Sequence, residues 1–241
     1  MRGACLFFLK NMMKKLVVLS GAGISAESGV KTFRDDNGLW KTHRFEDLAS
    51  PEAWKRNPGL VLEFYNQRRK QLLEVHPNPA HLALVNLEKK FDVTIITQNV
   101  DDLHERAGSK NILHLHGEIR KARSTADENL VYNIQGWELK MGDKCEKGSQ
   151  LRPHVVWFGE PVDNIQKAVK ITESADIFLV IGTSLLVYPA AGLVNYVPQQ
   201  NPVFVVNPDA RPIAGVQNLT VITEKAGKAV PELVEKLLQN A

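Results

Sequence analysis

Residues 14–26 read KKLVVLSGAGISA, and this stretch decides the fold. Residues 16–19 are a continuous apolar run, which suits a strand buried on both faces. Gly21-Ala22-Gly23-Ile24-Ser25-Ala26 follows at once and fits G-x-G-x-x-A. In that pattern the glycines permit a tight turn and bring backbone N–H groups at the start of a helix close to a pyrophosphate. Glycine turns after strands are common, so the pattern alone is equally a plain turn. An ordinary dinucleotide dehydrogenase would also need a second strand ending in an acidic residue about 20 residues on. Glu46 and Asp47 lie near that distance, but within RFEDLASPEAW, which is not a strand pattern.

Outward from this point, residues 92–97 (DVTIIT), 177–181 (IFLVI) and 203–206 (VFVV) repeat the buried-strand character, with shorter candidates at 111–114 and 219–222. Helical spacing appears at 60–75, at 80–90 after Pro77-Asn78-Pro79, and at the C-terminus, where Val230, Leu233, Val234, Leu237 and Leu238 share a face. Strands alternating with helices predict a doubly wound, Rossmann-like, mostly parallel sheet. Residues 21–91 separate the first two strands, whereas a strand–helix–strand crossover needs only roughly 30 residues. Something is inserted there, and residues 121–152 also lack strand character. The expected division is a nucleotide-binding domain from 13–30, 80–120 and 153–241, and a small helical or irregular domain from 31–79 and 121–152. Residues 1–12 read as an N-terminal extension, because Met13 directly precedes the strand.

The 241 residues carry a net charge of +3, too slight to argue for nucleic acid. Cys5 and Cys145 do not make a disulfide framework, so a reducing cytoplasm is the expected setting. No apolar run reaches the roughly 18 residues of a membrane helix. Residues 1–12 lack the long apolar core and small-residue cleavage site of a signal peptide. A monomer is expected.

Six segments in order carry a family resemblance. GAGISAESGVKTFRDDNGLW (21–40), TQNVDDLHERAG (97–108), HLHG (114–117), VVWFGE (155–160), GTSLLVYPAA (182–191) and NPD (207–209) resemble the signature segments of the sirtuins. The resemblance implies a Rossmann-like domain with a small module, and an NAD-dependent protein-lysine deacylase that releases nicotinamide and O-acyl-ADP-ribose. In such chemistry the acyl oxygen attacks the glycosidic carbon of NAD, and a base then deprotonates a ribose hydroxyl. Histidine titrates in the right range for that task. By resemblance the base is His116, and Asn99 orients ribose and water. His114, two residues earlier, is expected to support them.

The same resemblance implies an NAD site from Gly21, Ala22, Gly23, Ser25, Ala26, Phe33, Arg34, Trp40, Gln98, Asn99, Asp101, Gly182, Thr183, Ser184, Asn207, Asp209 and Ala226. Asp101 would hold the nicotinamide carboxamide, and Phe33 and Arg34 would cover it. Val156, Phe158, Gly159 and Val187 would meet the extended substrate. Strand addition there gives affinity with little dependence on side chains. Singly, these residues read as strand-end turns, core histidines and a buried strand.

The chain departs from the family pattern at one place and refines it at another. Most sirtuins carry two C-x-x-C pairs for a structural zinc, which needs about four N or S ligands. Here HGEIRKARSTADENL has no cysteine, and Cys145-Glu146-Lys147-Gly148 offers one thiol. No zinc is expected, and Leu130, Tyr132, Ile134 and Trp137 become candidates for a small core instead. In the 60–75 helix, Val61, Phe64, Tyr65, Arg68, Leu72 and Val75 share a face, with Arg69 and Lys70 facing water. Tyr65 and Arg68 are neighbours at i and i+3, and they match the Y-x-x-R of sirtuins that remove succinyl and malonyl groups. Arg68 can equally snorkel over the core or pair with Glu63 or Asp47. The implied partners are acylated lysine side chains of proteins, with no nucleic acid and no membrane. The alternatives are plain deacetylation, ADP-ribosylation from the same site, and a non-catalytic NAD-binding module.

Overall fold

The computed structural model describes residues 13–30 and 48–241. Phe33, Arg34 and Trp40, with the rest of 31–47 and the extension 1–12, lie outside the described residues. The strands are β1 (Lys15–Ser20), β2 (Asp92–Thr97), β3 (Ile112–His114), β4 (Gly117–Ser124), β5 (Val131–Asn133), β6 (Leu151–Val155), β7 (Ile177–Ile181), β8 (Val203–Val206) and β9 (Leu219–Ile222). Six of them form a parallel sheet in the order β3-β2-β1-β7-β8-β9. The chain reverses its direction of winding between β1 and β7, and a doubly wound sheet opens its ligand crevice beyond the strand ends at that point.

The helices are α1 (Gly23–Ala26), α2 (Pro51–Arg56), α3 (Pro58–Glu74), α4 (Pro79–Leu87), α5 (Leu103–Ala107), α6 (Ile165–Glu173) and α7 (Ala226–Gln239), with a 3-10 turn at Ala190–Tyr196. Alternate residues of the sheet feed two cores, as the strand period requires. Leu16, Val18, Ile95 and Leu179 pack under Leu84 of α4 and Val230 of α7. Val17, Leu19, Ile96 and Phe178 pack under Ala168 of α6 and Leu193 of the 3-10 turn. Pro79 opens α4, and the Asn78 side chain accepts from Ala80 N at 3.0 Å while donating to Ile24 O at 2.7 Å. That cap ties α4 to the turn after β1 and uses the proline where its missing N–H costs nothing.

The small module corrects two expectations. Residues 121–152 are not irregular: β4, β5 and β6 make an antiparallel sheet in the order β5-β4-β6. The sequence hid it because the pairing register shifts between Gly117 and Ala122, so β4 buries Ile119, Ala122 and Ser124 rather than alternate positions. Its core is Ala122, Ile134 and Leu139 with Leu62 of α3. Of the four expected core residues only Ile134 belongs; Leu130, Tyr132 and Trp137 are half-buried.

The second correction is Arg69, which is 0% exposed and does not face water. Helix α3 buries two faces. Val61, Phe64, Tyr65 and Leu72 meet one core, while Leu62, Asn66 and Arg69 meet the small sheet and the segment between β5 and β6. Arg69 donates to Trp137 O at 2.7 Å, to Ile119 O at 3.2 Å and to Asn66 Oδ1. Lys70 is exposed, as expected. Among the described residues no helix is long and apolar enough to cross a membrane.

Candidate functional site

Among the described residues, the turns at 21–26 and 98–101, His116, and the turns at 182–184 and 207–209 follow the carboxyl ends of β1, β2, β3, β7 and β8. Close packing of two turns sets the crevice floor. Gly23 N donates to Gly182 O at 2.8 Å. A Cβ on Gly23 would lie 2.8 Å from the Gly182 backbone, and one on Gly182, at φ +64, would lie 2.2 Å from Ile24 N. Only glycines let the β1 and β7 turns approach this closely. Helix α1 is a single turn of 4 residues. Gly227 N donates to the Glu27 carboxylate at 2.6 Å, which brings the end of this turn to Ala226 at the head of α7.

Beneath the turns runs a buried polar chain. Ser20 Oγ donates to Thr97 Oγ1 at 2.9 Å and meets His104 Nε2 at 2.9 Å. Thr97 Oγ1 accepts from Asn99 N at 3.0 Å. The Asn99 amide donates to Gly21 O at 3.2 Å and Ser25 Oγ at 3.1 Å, and Ser25 Oγ donates to Asp101 Oδ2 at 3.0 Å. Burial pushes the Asp101 carboxyl up, against the pull of its bonds from Leu103 N and Ser25. Ser20, Thr97 and His104 were not singled out in the sequence. Ser20 and Thr97 are signalled only as polar residues closing otherwise apolar strands, and His104, in α5, has not even that signal.

On the far side, Gln98 Nε2 donates to Thr183 Oγ1 at 3.2 Å, and Asn207 Nδ2 donates to Thr183 O at 2.8 Å. Asp209 N donates to Asn207 Oδ1 at 3.0 Å. Thus Gln98, Thr183 and Asn207 form one rim, with Ser184 and Asp209 exposed beside it and Ala26 exposed on the opposite turn.

His116 follows β3. Its Nδ1 lies 3.0 Å from Gln98 O. A carbonyl only accepts, so Nδ1 carries the proton and Nε2 is the proton-free nitrogen, the arrangement a general base needs. Burial holds the His116 imidazole below its ordinary pKa. The next residue, Gly117, is at φ +79, where a Cβ would lie 2.2 Å from His154 O. That glycine lets the chain turn directly from the histidine into β4. Val156 N donates to His116 O at 2.9 Å.

A pocket partly open to solvent joins Ser25, Asn99 and Asp101 to α3. Ser25, Gln98, Asn99 and Asp101 line one side, and Arg68, Leu72 and Ile119 the other. Arg68 is half-buried, with its guanidinium carbon 5.7 Å from the Phe64 ring centroid. Burial lowers its pKa, while the Tyr65 and Asp101 groups oppose that. Tyr65 is 4% exposed and accepts from Trp157 Nε1 at 3.0 Å. Burial pushes its phenol up to about 12. Phe158, Gly159 and Val187 are exposed beyond β6 and β7, and Val156 is half-buried. Ile119 escaped the sequence reading because the register shift concealed its strand.

Among the described residues, the donors do not fit a structural zinc. Cys145 Sγ donates to Ser124 Oγ at 3.2 Å, and Asp127 pairs with Lys147 at 2.7 Å. Glu105, His114 and Glu118 lie close enough to share a cation. However, Glu105 pairs with His114 at 2.7 Å and Glu118 with Lys121 at 2.7 Å, so these charges satisfy one another. Treatment with a chelator is expected to leave the melting temperature unchanged. Elemental analysis showing about one zinc per chain would contradict this.

Comparison with known proteins gives one answer. The Sir2 family model matches residues 21–189. An NAD-dependent protein deacylase of Helicobacter pylori is 53% identical over 231 residues, spanning 95% of this chain and 100% of that protein. One from Bacteroides thetaiotaomicron is 52% identical over 231 residues, spanning 94% and 99%. A Sir2 homologue solved as an NAD complex superimposes with a TM-score of 0.84 at 41% identity, over 98% of this chain and 94% of that one.

Proposed function

The chain belongs to the Sir2 family, and from that premise we propose that it is an NAD-dependent protein-lysine deacylase that favours acyl groups ending in a carboxylate. The observation that carries the reading is that Arg68, Asn99 and Asp101 line one pocket, with His116 anchored to the neighbouring Gln98 carbonyl. NAD, consumed as a substrate, supplies a cationic nicotinamide leaving group and the ribose that receives the acyl group. The turns at Gly21-Ala22-Gly23 and Gly182-Thr183-Ser184 hold its phosphates with backbone and hydroxyl donors. Asn207, Asp209 and Ala226 take the adenosine end. By the family resemblance Phe33, Arg34 and Trp40, which lie outside the described residues, also belong to the NAD site. Asn99 orients the ribose, Asp101 the carboxamide, and His116 Nε2 takes the ribose hydroxyl proton. Val156, Phe158, Gly159 and Val187 receive the extended substrate backbone.

The acyl preference rests on Tyr65 and Arg68. A carboxylate entering a largely apolar channel loses water at a cost of several kcal/mol unless it is paired. Arg68 offers a guanidinium. Tyr65 accepts its bond from Trp157 and, with its pKa raised to about 12, keeps its own proton to donate. A hydrogen bond to a charged group contributes roughly 1.5–3 kcal/mol, so Arg68→Met is expected to slow succinyl and malonyl removal about tenfold to a hundredfold. Acetyl removal, which does not reach the pair, should stay nearly unchanged. The measurement is kcat/KM on matched acetyl, malonyl and succinyl peptides for wild type, Arg68→Met and Tyr65→Phe. A wild type that prefers acetyl, or an Arg68→Met that slows all peptides equally, makes Arg68 structural.

A further inference from the structure

We propose that Glu105 and His114 are positioning residues for this reaction: a carboxylate–imidazolium pair that grips the Asn99 main-chain carbonyl and so fixes the Asn99 amide. The proposal rests on the deacylase reading for its consequence, but not for its geometry. His114 and His116, two residues apart, address successive carbonyls of the turn after β2. His114 Nδ1 lies 3.0 Å from Asn99 O, and His116 Nδ1 lies 3.0 Å from Gln98 O. Each carbonyl accepts, so each Nδ1 is protonated. The rings differ at the other nitrogen. For His114 that nitrogen meets Glu105 Oε1 at 2.7 Å. An ionised carboxylate also only accepts, so Nε2 must carry a second proton. The geometry therefore makes His114 an imidazolium while its neighbour stays neutral.

The surroundings agree. Glu105 and Glu118 raise the His114 pKa against the burial that lowers it, while burial lowers that of His116. The charges facing His114 are Glu105 and His104 from α5, Asp101 from the turn before it, and Glu118 from β4. Lys121 and Arg123 of β4 and His154 of β6 line the same groove, as do Asp163, just before α6, and Lys167 within it. Lys121 is occupied by Glu118 at 2.7 Å. Glu105 is exposed at the surface and ionised, its carboxyl held below the usual range by the His114 bond and charge against partial desolvation.

The consequence is a second titration in the rate. His116 acts when neutral, so activity rises as pH rises through its lowered pKa. His114 holds both partners only when charged, so activity falls as pH rises through its raised pKa. One ring nitrogen then points a lone pair at an acceptor, and the Asn99 carbonyl or Glu105 is released.

The experiment compares the pH profile of kcat/KM for wild type, Glu105→Gln and Glu105→Ala, beside an NMR titration of the labelled histidines. In Glu105→Gln a neutral His114 can keep both bonds, because the amide donates to Nε2. That variant should lose the alkaline limb and about threefold in kcat, whereas Glu105→Ala should lose about thirtyfold. The His114 pKa should fall by about one unit or more in both. An alkaline limb identical in all three proteins, or a His114 pKa unmoved by either change, overturns the proposal. A wild type with no deacylation at any pH defeats the functional reading instead, and the NMR titration then decides the pair alone.

Discussion

Replacing His116 with alanine is expected to lower deacylation by about 10²–10⁴-fold, the range typical of a general base, while NAD still binds. The expectation follows from how the side chain is held. Its Nδ1–H is committed to Gln98 O at 3.0 Å, which fixes the tautomer and leaves Nε2 to accept a proton. Burial lowers its pKa from the ordinary 6.5, so the ring is neutral at pH 7. The contacts that shape the proposed dinucleotide crevice lie elsewhere, between the Gly23 and Gly182 turns and along the rim of Gln98, Thr183 and Asn207. Removing the imidazole therefore takes away the base and spares the cradle. Single-turnover kinetics with calorimetric NAD titration separates the two. Turnover within about tenfold of wild type would remove His116 from the base role.

The second large effect concerns stability. Arg69→Met is expected to destabilise the protein by about 3 kcal/mol, since each buried acceptor left unsatisfied costs roughly 1–3 kcal/mol. Arg69 is fully buried and donates to Trp137 O, Ile119 O and Asn66 Oδ1. Asn66 in turn donates to Leu139 O at 3.1 Å and accepts from Leu139 N at 3.0 Å. Together they fasten α3 to the small sheet and to the segment after β5. Burial lowers the guanidinium pKa to about 10, so it is still charged at neutral pH. Methionine fills the volume and restores none of the bonds, although relief from burying a charge offsets part of the loss. At this chain length the change corresponds to a melting temperature lower by roughly 6–12 °C. A variant that melts within about 2 °C of wild type would show that water or neighbouring donors satisfy those acceptors.

The two parts of the molecule were unequally legible in the sequence. The parallel strands are continuous apolar runs because both their faces are covered, and 92–97, 177–181, 203–206 and 219–222 match β2, β7, β8 and β9 to the residue. The site segments were read through the family resemblance, and because they follow those strand ends Gly21, Gln98, His116, Gly182 and Asn207 come to lie around one crevice. The small sheet was not legible. A strand reading GEIRKARS, broken by a register shift, shows no period of two. Arg69 was missed for a related reason: a polar second face on α3, made by Asn66 and Arg69, looks like a solvated face until the small sheet packs against it. The polar chain of Ser20, Thr97 and His104 depends on strands distant in sequence, and no local pattern announces it. The Glu105–His114 pair lies 9 residues apart across a short helix and a strand end, where spacing alone carries no signal.

The most direct test of the account is a product balance. The purified protein is incubated with NAD and a succinyl-lysine peptide, and all products are followed by mass spectrometry. The account predicts free-lysine peptide, nicotinamide and O-succinyl-ADP-ribose in equal amounts, all lost together in His116→Ala. NAD consumed with ADP-ribose attached to protein, or acyl-lysine peptide left intact while NAD binds, would contradict it.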